Sequence, residues 1–198
     1  MTQIVKRAFD VCVSCLVLVI LSPVLLVLFI LVRADSPGPA IFRQRRVGHK
    51  FRLFDLLKFR TMTNNASGPQ LTWGADPRVT RIGGLLRKSK LDELPQLWNV
   101  LCGDMSIVGP RPEVPTFVDR FHAEYREILQ VRPGITDPAS IVYRSEAELL
   151  AKSSDPMKHY VEVVLPDKIR LSKEYVRSAS VTKDLMLIVQ TINALLHR

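Results

Sequence analysis

The sequence predicts an α+β fold, mostly helical, in which a small polar domain with a short β-hairpin follows an apolar N-terminal segment. Residues 11–32 form an uncharged run in which 19 of 22 residues are apolar. Apolar residues recur at helical spacing in most of the chain after this run, whereas residues 39–60 have the composition of a β-hairpin. These observations divide the 198 residues into an apolar unit, residues 1–32, and a polar unit, residues 33–198.

The apolar run admits two membrane arrangements. As a straight helix it would be about 33 Å long, enough to cross a hydrocarbon core of about 30 Å. However, Ser22 and Pro23 lie at its middle, where proline removes a backbone hydrogen bond and disfavours helix at the preceding residue. Basic residues flank both ends, which fits a hairpin that returns to the side it entered. Since proline also occurs in spanning helices, the residues alone leave both arrangements open.

The composition excludes several classes of protein. An apolar fraction of 47% excludes intrinsic disorder, and three cysteines in 198 residues exclude a disulfide scaffold. A single long apolar run excludes a polytopic transporter. The net charge of +9 and the pI of about 9.8 indicate anionic partners, a role that membrane lipid headgroups can fill. Because no helix-turn-helix, RNP or zinc-finger pattern accompanies this charge, we expect no nucleic-acid partner.

Turn and capping residues predict the elements of the polar unit. Residues 47–50 form the turn of the β-hairpin. Asp76 and Pro77 predict a helix start, as N-cap and first helical residue. A further helix is expected over residues 115–130. The amphipathic stretch 181–198 forms a last helix, whose apolar face fits either the core or the membrane surface.

Residues 87–112 carry the densest polar pattern. Pro95 is tolerated only in the first turn of a helix, so a helix is expected to start near Asp92 or Glu93 and to end at Gly103. At that N-terminus the helix dipole favours ionised carboxylates and lowers their pKa values. An isolated Asp-Glu pair in this position is usually only a helix cap. The predicted core-facing residues of the helix are Leu94, Leu97, Trp98 and Leu101.

The neighbours of this acidic pair favour a chemical role over capping. Cationic residues precede it, and Arg111 follows it in Gly-Pro-Arg-Pro, where two prolines restrict the backbone of an arginine suited to bind phosphate. Carboxylates among cations can hold a divalent metal and a diphosphate together, and an Asp carboxylate can accept a phosphoryl group. The chain has no P-loop and no G-x-G-x-x-G motif. These side chains would therefore have to supply the phosphate chemistry.

The stretch SKLDELPQLWNVLCGDMSIVGPRP, residues 89–112, resembles the signature of the bacterial sugar transferases known as monotopic phosphoglycosyl transferases. KFRTM at 58–62, RPGIT at 132–136 and the apolar run broken by Ser-Pro match as well, in the family's order. The resemblance implies transfer of a phosphosugar from a UDP-sugar to polyprenyl phosphate, such as undecaprenyl phosphate, with release of UMP. It also implies Mg²⁺ as cofactor and a covalent aspartyl intermediate.

The resemblance further implies a monotopic membrane protein. Residues 1–32 would form a re-entrant helix hairpin broken at Ser22-Pro23, and residues 33–198 a small cytosolic catalytic domain at the membrane interface. The expected location is the cytoplasmic face of the bacterial inner membrane, among membrane lipids. The chain would be one of the family's minimal members, with a homodimer as one expected state.

Residue roles carry over from the matching motifs. Asp92 would be the nucleophile and a Mg²⁺ ligand, and Glu93 its acidic partner, assisting either the metal or a proton transfer. The residues expected to bind phosphate or substrate are Arg111, Arg144, Lys58, Arg60 and Arg87. After RPGIT, many relatives continue with Gly and Leu-Ala-Gln, whereas this chain has residues 137–140, Asp-Pro-Ala-Ser. This departure indicates a subgroup with a sugar of its own.

Two alternatives stay open. A glycosyltransferase acting on a lipid acceptor would release UDP and need no aspartyl intermediate. A non-catalytic membrane adaptor would use the basic residues to bind anionic lipid, but it leaves the Asp-Glu pair, Gly-Pro-Arg-Pro and RPGIT without a role.

Overall fold

The computed structural model describes residues 3–63, 68, 71–74 and 76–196, and it confirms a mostly helical α+β fold. The helices and strands are α1 (Gln3–Ile20), α2 (Ser22–Asp35), β1 (Ile41–Val47), β2 (Leu53–Phe59), α3 (Arg81–Ser89), α4 (Gln96–Cys102), β3 (Ser106–Val108), α5 (Pro115–Arg120), α6 (His122–Ile128), β4 (Gly134–Thr136), α7 (Pro138–Val142), α8 (Glu146–Ala151), α9 (Pro156–His159), α10 (Leu165–Arg177) and α11 (Val181–Leu196).

The N-terminal apolar run forms a bent helix pair. Within the described part of the chain no single helix is long and apolar enough to cross a membrane, but α1 and α2 together reach that length and composition with a bend of 65°. Proline has no N–H for the carbonyl four residues before it, which for Pro23 is the carbonyl of Val19. The hydroxyl of Ser22 donates to this carbonyl at 2.8 Å. Ser22 therefore replaces the hydrogen bond that Pro23 removes.

The predicted β-hairpin is present. Strands β1 and β2 pair antiparallel, from Ile41 opposite Phe59 to Val47 opposite Leu53. The chain turns through a short 3₁₀ segment, in which Lys50 has a φ of 52°. The hairpin places Lys58 on β2, close to the end of the strand.

A second, parallel pair of strands was not expected from the sequence. Strands β3 and β4 join Ser106 with Gly134 and Val108 with Thr136. A Cβ atom on Gly134 would lie 2.0 Å from the backbone nitrogen of Gly109, so only glycine permits this approach. The pairing brings Gly-Pro-Arg-Pro and RPGIT, which are distant in sequence, into direct contact.

One predicted helix start was wrong, and one predicted helix is interrupted. Helix α3 begins at Arg81, where the hydroxyl of Thr80 accepts a hydrogen bond from the N–H of Gly83. Asp76 instead accepts hydrogen bonds from Arg78 within the preceding turn, so a local side-chain contact replaces the expected cap. The helix expected over residues 115–130 is interrupted at Phe121, whose backbone is not helical, and it forms α5 and α6.

The last helix packs on the core with one side only. Leu187 is only 3% exposed and packs with residues of β2, β3, α4 and α10 in one hydrophobic cluster. The opposite side of α11 is apolar and exposed, with Val189 at 56%. Helix α11 therefore closes the core on one side and presents an apolar surface on the other.

Candidate active site

The acidic pair lies in a 3₁₀ turn, Leu91–Glu93, between α3 and α4. Lys90 ends α3 with a φ of 58°, and α4 starts at Gln96 rather than near Asp92 or Glu93, so the expected helix start was wrong. The pair stands one turn before the helix and does not cap it through a side-chain hydrogen bond. Gly103 ends α4 with a φ of 89°, as predicted.

Helix α4 packs on the β-hairpin through a polar side chain. Asn99 accepts a hydrogen bond from the N–H of Leu57 at 3.0 Å and donates to the carbonyl of Asp55 at 2.8 Å. Its amide thereby pairs with the edge of β2 and fixes α4 beside Lys58. Trp98 was expected in the core but is 57% exposed, because Asn99 occupies the side of α4 that faces the strand.

Glu93 is held by two cations. Its carboxylate lies 2.9 Å from Lys58 Nζ and 2.6 Å from Arg111 Nη2, with a second contact to Arg111 Nη1 at 3.3 Å. Burial opposes ionisation of this carboxyl group, but Arg111 and Lys58 together hold the pKa of Glu93 well below its usual range. Glu93 is therefore an ionised anchor for both cations and has little capacity to exchange a proton.

Asp92 differs from its neighbour. It is only 7% exposed, and its Oδ1 atom is buried with no hydrogen-bond partner among the described residues. Burial raises the pKa of Asp92, although Lys58, Lys90 and Arg87 oppose the shift. The sequence predicted a pKa lowered by a helix dipole; the direction is opposite because the carboxylate is desolvated and α4 begins further along the chain.

Arg87 and Lys58 complete the cationic surroundings of Asp92. Arg87 Nε donates to Thr61 Oγ1 at 2.8 Å, and burial lowers the pKa of its guanidinium while the charge of Asp92 raises it. The contact depends on Gly83, since a Cβ atom there would lie 2.2 Å from the carbonyl oxygen of Thr61. The KFRTM segment therefore packs directly against α3 and brings Arg87 toward the acidic turn.

The backbone of Arg111 is fixed by the parallel strand pair. The N–H of Gly109 donates to Thr136 and that of Gly134 to Pro110, both at 3.0 Å. The N–H of Arg111 donates to Asp137 Oδ2 at 3.3 Å. Asp137, the first residue of the departure from the family pattern, thus helps to orient the arginine that holds Glu93.

Two of the predicted phosphate ligands have other contacts. The guanidinium of Arg60 donates to three backbone carbonyls at the end of α2, those of Val32, Ser36 and Pro37. Arg144 is exposed and donates to the carbonyl of Ala194 on α11 at 3.3 Å. Lys58, Arg87 and Arg111 are therefore the predicted cations that gather around the acidic turn.

A buried network behind Arg111 was not predicted from the sequence. Arg46 on β1 donates to Glu113 at 3.2 Å and to the carbonyl of Pro112 at 2.9 Å. The hydroxyl of Tyr160 donates to the same carboxylate at 2.9 Å. Although Glu113 is buried, Arg46 and Lys168 keep its pKa below the usual value. The only sequence signal was the position of Glu113 directly after Gly-Pro-Arg-Pro.

The site fits a divalent cation that substrate helps to bind. Across residues 3–63, 68, 71–74 and 76–196, no three His, Cys, Asp or Glu side chains cluster as a closed metal site. The unpartnered Oδ1 of Asp92 is nevertheless a free carboxylate oxygen, the ligand type that Mg²⁺ prefers. Mg²⁺ is often held by one or two carboxylates together with substrate phosphates and water. Asp92 is accordingly the protein ligand that fits it here.

The comparisons with known proteins agree with the family resemblance. Residues 1–198 match the family described as bacterial sugar transferase. The chain is 38% identical to the UDP-N-acetylgalactosamine-undecaprenyl-phosphate N-acetylgalactosaminephosphotransferase of Aeromonas hydrophila, over 97% of this chain and 44% of that protein. It is 36% identical to the UDP-glucose:undecaprenyl-phosphate glucose-1-phosphate transferases of Caulobacter vibrioides and Escherichia coli, over 96% of this chain and 69% and 40% of those proteins. The chain thus spans less than half the length of two of these relatives, and it belongs to the bacterial sugar transferase family.

Proposed function

We propose that this chain transfers a phosphosugar from a UDP-sugar to undecaprenyl phosphate, forming undecaprenyl diphosphate sugar and UMP. The observation that carries the proposal is the contrast within the acidic pair. Glu93 is neutralised by Lys58 and Arg111, whereas Asp92 is buried among cations, and its Oδ1 atom has no hydrogen-bond partner in the described part of the chain. The names of the relatives, each an undecaprenyl-phosphate sugar phosphotransferase, support the same reaction class.

In the first half-reaction, a carboxylate oxygen of Asp92 attacks the phosphorus that carries the sugar. The bond between this phosphorus and the bridging oxygen of the diphosphate breaks, and UMP leaves with the electron pair. The product is an aspartyl phosphosugar. Desolvation favours this step, because a carboxylate whose pKa is raised by burial is more basic and hence more nucleophilic than one in water.

In the second half-reaction, a phosphate oxygen of the lipid attacks the same phosphorus. The bond to Asp92 breaks, the carboxylate is restored and the undecaprenyl diphosphate sugar is formed. Neither half-reaction needs a proton from the protein, which agrees with a Glu93 that stays ionised. The role of Glu93 is then to hold Lys58 and Arg111 in position rather than to transfer a proton.

The charges around Asp92 are suited to a diphosphate. Lys58, Arg87 and Arg111 converge on the acidic turn and would stabilise negative charge as it moves to the leaving UMP. Mg²⁺, when bound at Asp92 together with substrate phosphate, would supply further charge neutralisation. Because both half-reactions occur at one phosphorus atom, a single cationic cluster serves donor and acceptor in turn.

The bent helix pair supports a membrane-embedded acceptor site. Each arm is shorter than a bilayer core, and the pair is bent by 65°. We infer that residues 1–32 enter and leave the cytoplasmic leaflet of the bacterial inner membrane on the same side. The acidic turn, which directly precedes α4, would then meet the lipid phosphate at the interface without extraction of the prenyl chain.

Product identity tests the proposal. The purified chain in lipid nanodiscs is incubated with Mg²⁺, undecaprenyl phosphate and a panel of UDP-sugars, and the released nucleotide is identified. We expect UMP, dependent on the lipid phosphate, and loss of turnover in Asp92→Asn. Asp119→Asn, the same change at an exposed position of α5, is the matched control and should keep full activity.

Intact-protein mass measurement tests the intermediate. With UDP-sugar but without lipid acceptor, wild type should gain the mass of one phosphosugar, and Asp92→Asn should not. Release of UDP instead of UMP would identify a glycosyltransferase that transfers the sugar alone, without the aspartyl intermediate. Release of neither nucleotide, with lipid binding intact, would favour the adaptor. Deamidation of the Asn variant is checked by its mass before each assay.

A further inference from the structure

The first arm of the helix pair binds the end of α4. Arg7, half-buried on α1, donates from Nη1 to the carbonyl of Val100 and from Nη2 to the carbonyl of Leu101, the latter at 2.8 Å. These carbonyls lie in the last turn of α4, where helix carbonyls lack partners within the helix. A guanidinium there is also favoured by the helix dipole. Arg7 therefore caps α4 at the end remote from the acidic turn.

The second arm binds the beginning of α3. Asp35, the last residue of α2, accepts a hydrogen bond at Oδ2 from the N–H of Ile82 at 3.1 Å. Ile82 lies in the first turn of α3, where helix N–H groups lack partners within the helix and attract a carboxylate. The acidic turn follows the opposite end of α3. Asp35 thus caps α3 as Arg7 caps α4, each at the helix end that is remote from the acidic turn.

Both arms have a second tie to the polar domain. Asp10 on α1 is buried and accepts a hydrogen bond from the N–H of Ile107 on β3 at 3.1 Å. The end of α2 is bound by Arg60, which follows the strand that carries Lys58. Each arm is consequently attached to the polar domain at more than one point, so a change in the angle between the arms must displace the elements that they hold.

We propose that the bent helix pair positions the catalytic turn, with Arg7 and Asp35 as positioning residues that transmit the geometry of the two arms to Asp92. The two flanking helices have nine and seven residues, too short to be stable alone, so their placement depends on the contacts at their ends. Insertion of the helix pair into lipid then determines the distance between α3 and α4. This distance in turn determines how closely Asp92 approaches the phosphorus atom of the substrate. The inference rests on the proposed function for its kinetic consequences only.

Variants of the two capping residues distinguish a positioning role from effects of lost charge or impaired folding. Asp35→Ala removes the acceptor, whereas Asp35→Asn keeps an oxygen that can cap α3 and should restore the behaviour of wild type. Arg7→Gln removes the guanidinium group that donates two hydrogen bonds to the carbonyls at the end of α4. Its matched control is Arg33→Gln, which removes an equal charge from the other arm: Arg33, near the end of α2, donates to the carbonyl of Gly38 in the following loop at 3.3 Å and, among the described residues, forms no hydrogen bond with α3 or α4. If Asp35→Ala fails to fold, Asp35→Glu, which keeps the charge but displaces the carboxylate, carries the same expectation.

Amide hydrogen exchange of the full chain in nanodiscs gives a readout that needs no activity. The N–H groups of Glu93 and Leu94 form the hydrogen bonds of the acidic turn, at 3.2 and 3.3 Å. We expect their exchange to accelerate about tenfold or more in Asp35→Ala and Arg7→Gln, with Asp35→Asn and Arg33→Gln unchanged. Unchanged exchange at these amides in folded Asp35→Ala and Arg7→Gln would overturn the proposal, whatever reaction the protein catalyses.

Steady-state kinetics of the same variants measure the effect of the two caps on catalysis. Asp35→Ala and Arg7→Gln should lower kcat about ten- to hundredfold with little change in KM for either substrate, because binding groups stay while the nucleophile is misplaced. A raised KM at constant kcat, or an equal loss in Asp35→Asn, would reject positioning. If wild type releases no UMP, the proposed function fails while the exchange experiment still decides the present inference.

Discussion

The guanidinium of Arg111 lies 2.6 Å from Glu93 Oε1, and the two residues stand on opposite sides of β3 in the chain. Glu93 raises the pKa of Arg111, and Arg111 together with Lys58 lowers that of Glu93. The ion pair therefore joins the acidic turn to the Gly-Pro-Arg-Pro segment.

Glu93→Gln should destabilise the protein, because it leaves Lys58 and Arg111 in a largely buried place without their anion. Removal of one partner from a buried ion pair costs about 3 kcal/mol or more. Chemical denaturation in detergent measures the free energy of unfolding. The matched control is Glu127→Gln, which breaks the exposed pair with Arg177 and should leave the midpoint unchanged. Equal effects of the two variants would contradict a special role for the inner pair.

The stabilisation from Glu93 should depend on pH in a defined direction. Its folded pKa lies well below the ordinary value of 4.5, so the stabilisation is fully present above that value and is lost as the pH falls through the folded pKa. The difference in unfolding temperature between wild type and Glu93→Gln should be constant near neutrality and shrink below about pH 4.5. A difference that grew on acidification would mean that Glu93 is protonated in the folded state.

Asp92→Asn should stabilise the fold while it abolishes turnover. The folded pKa of Asp92 is raised above 3.8, so the folded state binds the proton more tightly than the unfolded chain, and stability is lost as the pH rises through that folded pKa. A neutral amide removes this cost, and each kcal/mol gained raises the unfolding temperature by about 2–4 °C. The gain should be present at pH 7 and absent at pH 3. A destabilised Asn variant at pH 7 would show that the carboxylate is well solvated.

Gly134→Ala should disrupt the contact between the Gly-Pro-Arg-Pro and RPGIT segments. The added methyl group would overlap the backbone of Gly109, which cannot move without breaking the β3–β4 pairing. We expect a loss of about 3 kcal/mol and of transferase activity. Gly84→Ala is the control: its methyl group would meet only Val79 at 3.9 Å, and alanine favours the helix by about 1 kcal/mol over glycine. Thermal unfolding of the two variants should therefore shift in opposite directions.

Ser22 and Pro23 should be energetically coupled. Ser22→Ala leaves the carbonyl of Val19 without its donor, whereas in Pro23→Ala the restored backbone N–H can bind the same carbonyl. The cost of Ser22→Ala, about 1 kcal/mol, should largely disappear in the Pro23→Ala background. A double-mutant cycle of unfolding in nanodiscs measures this coupling. Pro23→Ala should also reduce the bend, and labelling of the segment's two ends in wild type and in this variant measures whether the ends face the same side of the membrane.

Local composition was sufficient to predict several elements. The β-hairpin and the end of α4 at Gly103 each depend on residues within a few positions of one another, whereas at Ser22-Pro23 the residues alone left a straight helix and a bend both open. The pairing of β3 with β4 could not be predicted in the same way, since each strand has three residues and the contact joins segments far apart in the chain. The sequence feature that reflects this pairing is the presence of glycine at 109 and 134, where the two backbones approach too closely to admit a Cβ atom.

The sequence predicted that the acidic pair lies among cations of its motifs, but not the geometry of their contacts. The acidic pair and Arg111 are adjacent in space as their motif implied, yet the direction of the Asp92 pKa shift was wrong, because burial is a tertiary property. Arg60 shows the same limit. Its motif indicates phosphate, whereas its hydrogen bonds go to the end of α2, and only the packing of that helix beside β2 explains this.

Lys6 on α1 pairs with Asp184 on α11, which also accepts a hydrogen bond from the hydroxyl of Tyr175 at 2.7 Å. At a translation rate of about 5–20 residues per second, Lys6 is added to the chain roughly 9–36 s before Asp184. In that interval the ammonium group has no partner in α11 and is available to anionic headgroups, which attract it by about 1 kcal/mol. Under the proposed membrane placement, the order of synthesis would let one charge act twice, first to hold the nascent helix beside the bilayer and later to fix α1 to α11 in the finished chain.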